Sequence, residues 1–184
     1  MERDPVDRFI EQWNRERPDL DPAALGIVSR VLMLAKLLEH SADRALERFG
    51  LSLWQFDVLA ALRRSGPPFK LSPTRLMQLV TLTSGAMTNR IDRLEELGLV
   101  AREPHPGDRR GLLIALTRDG RKLVDEAIEV RLADAQRSTA GLSTTEARTL
   151  AALLRSLLRP MTNGNAPRAA RRQLARSASR PVRH

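Results

Sequence analysis

The stretch Pro106-Gly-Asp-Arg-Arg-Gly-Leu-Leu-Ile-Ala-Leu-Thr-Arg-Asp-Gly120 decides how the central part of this chain folds. Its apolar run at residues 112–116 is β-prone, and a second β-prone run occupies residues 99–103. Between them, residues 105–110 combine turn-forming residues with cations. The pattern predicts a two-stranded hairpin with a basic loop at its tip. Thr117 then follows as the N-cap of a helix.

Two short helices precede this hairpin in the sequence. Ser72-Pro73 starts a helix that stops near Val80, and after a three-residue turn a second helix covers about residues 83–97, ending at Gly98. Two short helices followed by a basic hairpin form a winged helix-turn-helix. We therefore predict a mainly α-helical fold with a small β-wing. In that fold the second helix enters the DNA major groove and the hairpin tip reaches the neighbouring minor groove.

The second helix carries the residue types that a groove-reading helix needs near its N-terminus. Its apolar face is formed by Met87, Ile91 and Leu94, so the opposite face is free to approach DNA. Small residues allow close approach, Asn binds adenine through two hydrogen bonds, and Arg binds phosphate. The residues predicted to contact DNA from this helix are Thr83, Ser84, Thr88, Asn89 and Arg93. The alternative is that the hydroxyls only cap the helix and the amide is solvated.

The hairpin loop adds a second predicted contact to DNA. Arg109 and Arg110 suit a narrow minor groove, where the negative potential of DNA is concentrated. Asp108 beside them is not suited to phosphate, so we expect its carboxylate to orient an arginine of the wing. The alternative is an exposed basic turn without a partner.

Long amphipathic helices flank the DNA-binding segment, which covers about residues 52–116. They are predicted at about residues 22–49 and 118–159. Helices of this kind at both ends usually pack on a second copy, which places two DNA-binding segments about one DNA turn apart. We therefore predict a homodimer of the domain at residues 21–160. An extension helix within residues 1–20 precedes that domain.

Composition narrows the class of protein. The 184 residues carry 31 Lys and Arg against 22 Asp and Glu, and this net charge of +9 favours a polyanion such as double-stranded DNA. The absence of cysteine excludes a disulfide scaffold, thiolate zinc sites and a thiol redox sensor. The N-terminus lacks a signal pattern, and no apolar run reaches membrane-spanning length. We expect a cytoplasmic, nucleoid-associated protein that makes no membrane contact.

The last part of the chain, residues 161–184, is predicted to be a disordered tail rich in arginine. Six arginines and no acid follow Pro160, among alanine and serine without an apolar period. Two interpretations remain open for this tail, a loose contact with the DNA backbone or a solvated terminus without a role.

One acidic residue is unusual on physical grounds. Asp57 falls inside the buried stripe formed by Leu53, Phe56 and Ala60, and a lone buried carboxylate is unfavourable unless a cation or hydrogen-bond donors meet it. Arg90 lies on the flank of its own helix, next to the core face. A partner for Asp57 is therefore required.

The stretch from Ser72 to Gly120 resembles the multiple antibiotic resistance regulator (MarR) family of bacterial transcription factors. The wing sequence resembles the family signature of Asp-Arg-Arg followed by Leu-Thr-x-x-Gly, and Asn89-Arg-Ile-Asp-Arg-Leu-Glu95 resembles its recognition helix. The similarity covers about residues 23–158. It implies an obligate homodimer, a pseudo-palindromic operator, and repression relieved by a small ligand, with no cofactor.

Four positions match the urate-binding set of the urate-responsive, PecS-like branch of this family. They are Trp13, Asp57, Arg90 and Arg102. The resemblance implies that the tryptophan and the two arginines hold a small anionic aromatic ligand, such as a purine. Asp57 would then be repelled by the ligand charge and shift its helix, which favours a state unable to bind DNA. The effector could equally be another purine or a different aromatic anion.

Each of the four also has a structural interpretation. Trp13 could anchor the extension helix, Asp57 and Arg90 could form a plain ion pair, and Arg102 could contact phosphate. Other classes of protein fit less well. Motifs for phosphate loops and metal sites are absent from the sequence, which argues against an enzyme. The basic wing argues against a helical interaction module. An architectural DNA-binding protein without an effector remains as the alternative.

Overall fold

The computed structural model describes residues 3–80 and 84–162, with side chains except at positions 84–86, 109 and 110. Seven helices lie within these residues: α1 Pro5–Glu16, α2 Ala23–Leu46, α3 Leu53–Arg64, α4 Pro73–Val80, α5 Ser84–Glu96, α6 Arg118–Ser138 and α7 Thr144–Thr162. The described strands are β1 Lys70–Leu71, β2 Val100–His105 and β3 Asp108–Leu116. The predicted turn at residues 81–83 and the tail from residue 163 lie outside the described residues. The predicted architecture, mainly helical with a small β-wing, is confirmed.

The extension helix α1 is capped and tied to α2 by charged side chains. The Asp4 carboxylate accepts hydrogen bonds from the backbone N–H groups of Val6 and Asp7, at 2.7 and 3.0 Å. Asp7 accepts in turn from the Asp4 N–H, which completes a capping box. Arg30 of α2 binds both carboxylates, with its Nε 2.7 Å from Asp4 and its Nη2 2.6 Å from Asp7. The ion pairs hold α1 against the first half of α2.

Local sequence signals mark both the start of α3 and the end of the segment before it. Ser52 and Gln55 form the capping box of α3, and Gly50 adopts a left-handed conformation with φ of 65° after the 3-10 turn Glu47–Phe49. The predicted last helix ends three residues too early and the predicted tail begins two residues too early, because α7 continues to Thr162. The Thr162 hydroxyl donates to the carbonyls of Leu158 and Arg159, both at 3.2 Å. These two carbonyls, just before Pro160, therefore have a hydrogen-bond partner in the final turn.

The hairpin differs from the prediction at its tip. Residues 105–110 were expected to form a loop, but β2 continues to His105 and β3 begins at Asp108, so the turn is only Pro106-Gly107. The Gly107 N–H donates to Nδ1 of His105 over 3.1 Å, which closes this tight turn. Positions 108–110 therefore belong to a strand. The two-residue strand β1, which the sequence did not predict, adds to the other edge of β3 and gives the order β1-β3-β2.

The junction between β3 and α6 explains the Leu-Thr-x-x-Gly signature. The Thr117 hydroxyl donates to the carbonyl of Gly98 at 2.8 Å and accepts from the N–H of Gly120 at 2.9 Å. A Cβ added at Gly120 would lie 2.0 Å from the carbonyl oxygen of Leu99. Only glycine therefore allows α6 to start this close to the first strand of the wing.

The buried core lies among α3, α4, α5, the sheet and the first half of α6. Its largest fully buried side chains are Leu46, Leu59, Leu62, Leu76, Met87, Leu94, Ile114, Val58, Val100 and Val124. These belong to the first of two compact units, which extends to Gln136, and α7 belongs to the second, which begins at Arg137. The core therefore supports the helix-turn-helix and the base of the wing directly.

Candidate functional site

The recognition helix α5 is fixed by its apolar face. Met87, Ile91 and Leu94 are at most 2% exposed, as the sequence pattern predicts. Since these three side chains anchor the helix in the core, Thr88 and Asn89 are exposed on the other side. An exposed amide and hydroxyl next to the start of an anchored helix can make hydrogen bonds to base edges.

The other predicted DNA contacts of this helix are Thr83, Ser84 and Arg93. Thr83 lies outside the described residues. Ser84 is the first residue of α5, and its side chain lies outside the described part of the structure. Arg93, predicted to contact phosphate, is exposed and pairs with Glu96 at 3.0 Å. An exposed ion pair of this kind contributes little to stability, so Arg93 can exchange its partner for a phosphate group.

Asp108 is the first residue of β3, and its side chain lies close to Gly111 of the same strand. A Cβ at Gly111 would lie 3.0 Å from Oδ2 of Asp108 and 2.9 Å from Cβ of His105, so glycine makes room for both side chains. Asp108 is exposed. The backbones of Arg109 and Arg110 belong to β3, and their side chains are outside the description. The predicted orienting contact between Asp108 and an arginine remains a prediction.

Arg102 of β2 is engaged by two carboxylates of α5. Its guanidinium forms ion pairs with Asp92 and Glu95, and its backbone N–H donates to Oε1 of Glu95 over 3.1 Å. The hydrogen bond that Arg102 donates to Asp92, together with the negative charges of Asp92 and Glu95, raises the pKa of Arg102. The sequence analysis missed the two acids as partners, although their i,i+3 spacing places them on one face of α5.

Asp57 of α3 is half-buried, as expected for its position in the apolar stripe. Burial raises the pKa of its carboxyl, and the positive charges of Arg131, Arg64 and Arg90 oppose that shift. Asp57 forms no hydrogen bond and no ion pair within 4.0 Å to the described side chains. The plain ion pair with Arg90, which was the structural alternative to a ligand role, is therefore absent from the described residues, and the two residues interact only through their charges.

Arg90 instead contacts an aromatic ring that the sequence analysis did not select. Its guanidinium carbon lies 5.1 Å from the centre of the Trp54 ring, within the range of a cation–π contact. Trp54 is half-buried and lies three residues before Asp57, on the same face of α3. That spacing was the signal in the sequence that could have identified Trp54.

Trp13 lies on α1, whereas the other three predicted ligand residues lie on α3, α5 and β2. Its ring makes an edge contact with Phe9, with ring centres 6.4 Å apart, and is 43% exposed. It lines a cavity of about 280 Å³ together with Arg17, Leu20, Asp21, Pro22 and Leu25. No hydrogen bond, ion pair or ring contact joins Trp13 to Asp57, Arg90 or Arg102 across residues 3–80 and 84–162.

The comparisons with known proteins agree with this geometry. A family model described as "MarR family" matches residues 49–111. The HTH-type transcriptional regulator PecS of Dickeya dadantii is 32% identical over 158 residues, which cover 86% of this chain and 95% of PecS. The chain belongs to the MarR family.

Solved MarR-family structures resemble it as well. A mutant of Escherichia coli MarR in complex with operator DNA aligns with a TM-score of 0.66 at 26% identity, covering 79% of this chain and 97% of that one. BpsR of Bordetella bronchiseptica, whose DNA binding is regulated by 6-hydroxynicotinic acid, aligns with a TM-score of 0.65 at 27% identity. That alignment covers 71% of this chain and 91% of BpsR.

Membership of the MarR family establishes the general activity. The protein is a transcriptional regulator that binds DNA, and it is not an enzyme. MarR-family regulators typically bind small-molecule effectors and need no cofactor. Among the described residues, no helix has the length and apolar character to cross a bilayer.

Proposed function

We propose that this MarR-family protein is a homodimeric repressor that binds a pseudo-palindromic operator and is released by an anionic purine such as urate. The observation that carries the DNA-binding part is the anchored helix α5, which exposes Thr88 and Asn89 beside a hairpin with arginines in β3. The proposed DNA contacts are Thr83, Ser84, Thr88, Asn89, Arg93, Asp108, Arg109 and Arg110. The protein acts at the bacterial nucleoid in the cytoplasm.

The apolar surface of α2 supports the proposed homodimer. Large apolar side chains are more than a third exposed along most of this helix: Leu25, Ile27, Val28, Val31, Leu32, Met33, Leu34, Leu37 and Leu38. The second unit has a similar apolar stripe on α7, formed by Leu150, Leu153, Leu154, Leu157, Leu158 and Met161. Monomeric proteins rarely expose contiguous apolar surface of this extent, so we assign both helices to the contact with a second copy.

The proposed effector site combines Trp13, Asp57, Arg90 and Arg102. The resemblance of these four residues to the urate-binding set supports an anionic purine. Two features of the chain fit that ligand: the exposed Trp13 ring beside a cavity, which suits stacking, and the cations near Asp57, which attract an anion. Because no hydrogen bond, ion pair or ring contact joins Trp13 to the other three among the described residues, we propose that the bound effector itself bridges α1 and the DNA-binding segment.

The release mechanism follows from the half-buried carboxylate. An anion placed beside Arg90 brings a second negative charge close to Asp57, which carries no hydrogen bond from the described residues to compensate it. Repulsion then moves α3 and, through Trp54 and Arg90, the recognition helix. An effector that binds the shifted state more tightly lowers the population able to bind DNA.

Two alternatives have distinct consequences. The similarity to BpsR favours, as a second candidate, a different aromatic anion of the nicotinate class as effector. An effector-independent architectural protein would bind all DNA with a steep salt dependence and little sequence preference.

A gel-shift titration on the DNA upstream of the protein's own gene, with and without urate, tests the proposal. Binding at physiological salt that urate reverses supports both parts. If the protein binds this DNA and urate does not change the binding, the purine assignment is wrong, whereas the assignment as a DNA-binding regulator stands. Equal binding to unrelated DNA of the same length supports the architectural protein and contradicts a specific operator.

A further inference from the structure

The contact between Arg102 and α5 joins the two elements that approach DNA. Arg102 lies in β2, the first strand of the wing, whereas Asp92 and Glu95 belong to the recognition helix. Glu95 is held twice, by the guanidinium and by the backbone N–H of Arg102 at 3.1 Å. A planar guanidinium that binds two carboxylates constrains both the distance and the angle between the elements.

The next residue secures the same strand from its other side. Because successive side chains of a strand point to opposite faces, Glu103 is directed away from α5, and it forms an ion pair with Lys70 of β1. That pair spans β3, which lies between β1 and β2 in the sheet. The start of the wing is thus tied to the recognition helix on one face and to the sheet on the other.

Burial distinguishes the Arg102 contacts from the ordinary surface pair on the same helix. The Arg102 side chain is 29% exposed, whereas Arg93 and Glu96 are 62% and 65% exposed. Exposed pairs are screened by solvent and salt, so a partly buried guanidinium with two carboxylates restrains geometry more strongly.

We propose that Arg102 is a positioning residue for DNA binding, which fixes the wing against the recognition helix so that both reach the operator together. This inference rests on the proposed DNA-binding role of α5 and the wing, and it assigns Asp92 and Glu95 a part in sequence recognition although neither is suited to contact DNA. It adds to the effector contact proposed for Arg102, and it differs from a direct contact in which the Arg102 charge holds phosphate.

The double variant Asp92→Asn/Glu95→Gln tests the positioning role, because a positioning role and a simple charge effect predict opposite changes in operator affinity. It keeps Arg102 and removes two negative charges close to the DNA, so simple electrostatics predicts tighter binding. Loss of the fixed geometry predicts the opposite for the operator, with affinity for unrelated DNA preserved or increased. We expect the ratio of operator to non-specific affinity to fall about tenfold.

The measurement is fluorescence anisotropy with two duplexes: one selected from random-sequence DNA by the wild-type protein, and a scrambled version of it. Glu96→Gln is the matched control, because it removes an acid from the same helix but breaks no contact with the wing, and it should not lower the ratio. Thermal unfolding of each variant identifies any loss of affinity that comes from loss of folded protein.

Exchanging the charges of Arg102 and Glu95 tests whether selective binding can be restored. Arg102→Glu alone places three carboxylates together and should abolish selective binding, whereas Arg102→Glu with Glu95→Arg restores a cross-element pair and should recover part of the ratio. An unchanged or higher ratio in Asp92→Asn/Glu95→Gln, or no recovery in the exchanged variant when it is folded, would overturn the positioning role. If the wild-type protein selects no sequence at all, the proposed operator binding fails instead.

Discussion

The guanidinium of Arg90 lies over the ring of Trp54, with its central carbon 5.1 Å from the ring centre, and this contact links the recognition helix to α3. Asp57 lies one helical turn further along α3, close enough to Arg90 for their charges to interact but not for an ion pair. In the proposed release mechanism this cation–π contact carries a movement of α3 to α5. Burial raises the pKa of the Asp57 carboxyl, so an added negative charge nearby would further disfavour its ionised form.

Replacing Asp57 with asparagine should change stability in a way that depends on pH. Burial raises the pKa of Asp57 in the folded state, so its protonated form favours folding and its ionised form opposes it. The protein should lose this contribution as the pH rises through the folded-state pKa. We expect Asp57→Asn to have the higher Tm at pH 7, with an advantage that shrinks as the pH falls toward 3.8.

The control for that pH series is Asp19→Asn. Arg17 lowers the pKa of Asp19 to about 2, so the Asp19 charge favours folding and its removal should slightly lower the Tm at pH 7. A Tm difference for Asp57→Asn that is independent of pH between 3 and 8 would contradict an unfavourable charge at this position.

Arg110→Ala should weaken operator binding by about 1–3 kcal/mol and leave the oligomeric state unchanged, because it removes one proposed minor-groove contact. Anisotropy titrations at fixed salt measure the affinity, and Arg15→Ala on α1 is the control for loss of a positive charge. Equal affinities of Arg110→Ala and the wild-type protein would remove the minor-groove role of the wing.

Trp13→Phe should bind DNA like the wild-type protein and respond less to urate. Phenylalanine preserves the apolar contact with Phe9 but offers a smaller ring for stacking on a purine. The urate concentration that releases half of the bound DNA measures the effect, with Asn14→Ala as an exposed neighbour on the same helix. A full response in Trp13→Phe assigns Trp13 to the scaffold alone.

Leu32→Glu should convert the dimer to monomer and abolish operator binding. Leu32 is 59% exposed near the middle of α2, so a charge there is harmless to a free chain but unfavourable in a dimer interface. Sedimentation velocity distinguishes the two states. Leu20→Glu, outside the proposed interface, should stay dimeric, and a dimeric Leu32→Glu would show that this part of α2 does not form the interface.

Gly120→Ala should lower the free energy of unfolding by at least about 2 kcal/mol, because its Cβ would overlap the carbonyl oxygen of Leu99. Gly141→Ala has nothing within 4 Å of the added Cβ and should be close to neutral. Urea denaturation measures both. Similar midpoints for the two variants would mean that the junction of β3 and α6 relaxes without penalty.

Local signals account for what the sequence predicted about the fold. Ser72, Gly98 and Thr117 each act within a few residues, so their effects on helix ends can be read directly from the chain. The strand β1 was not predicted because two residues are too few to show the alternating pattern of a strand. It forms by pairing with β3. The position of the wing turn was wrong for a related reason, since cross-strand pairing extends β3 to Asp108.

The predicted site was harder to obtain from the sequence. The exposure of Thr88 and Asn89 follows from the apolar face of one helix. The partners of Arg102 and Arg90 depend instead on how β2 and α3 pack against α5, which no local pattern encodes. The two carboxylates that bind Arg102 lie in another element, so the sequence did not identify them as its partners.

The most direct test of the account is a nuclease footprint on the DNA upstream of the gene, recorded with excess competitor DNA. A dimeric winged helix-turn-helix protein should protect two related half-sites with centres about 34 Å apart, or one DNA turn, on one face of the duplex. Uniform weak protection that the competitor removes, or protection of a single unpaired half-site, would contradict a dimeric regulator with a specific operator.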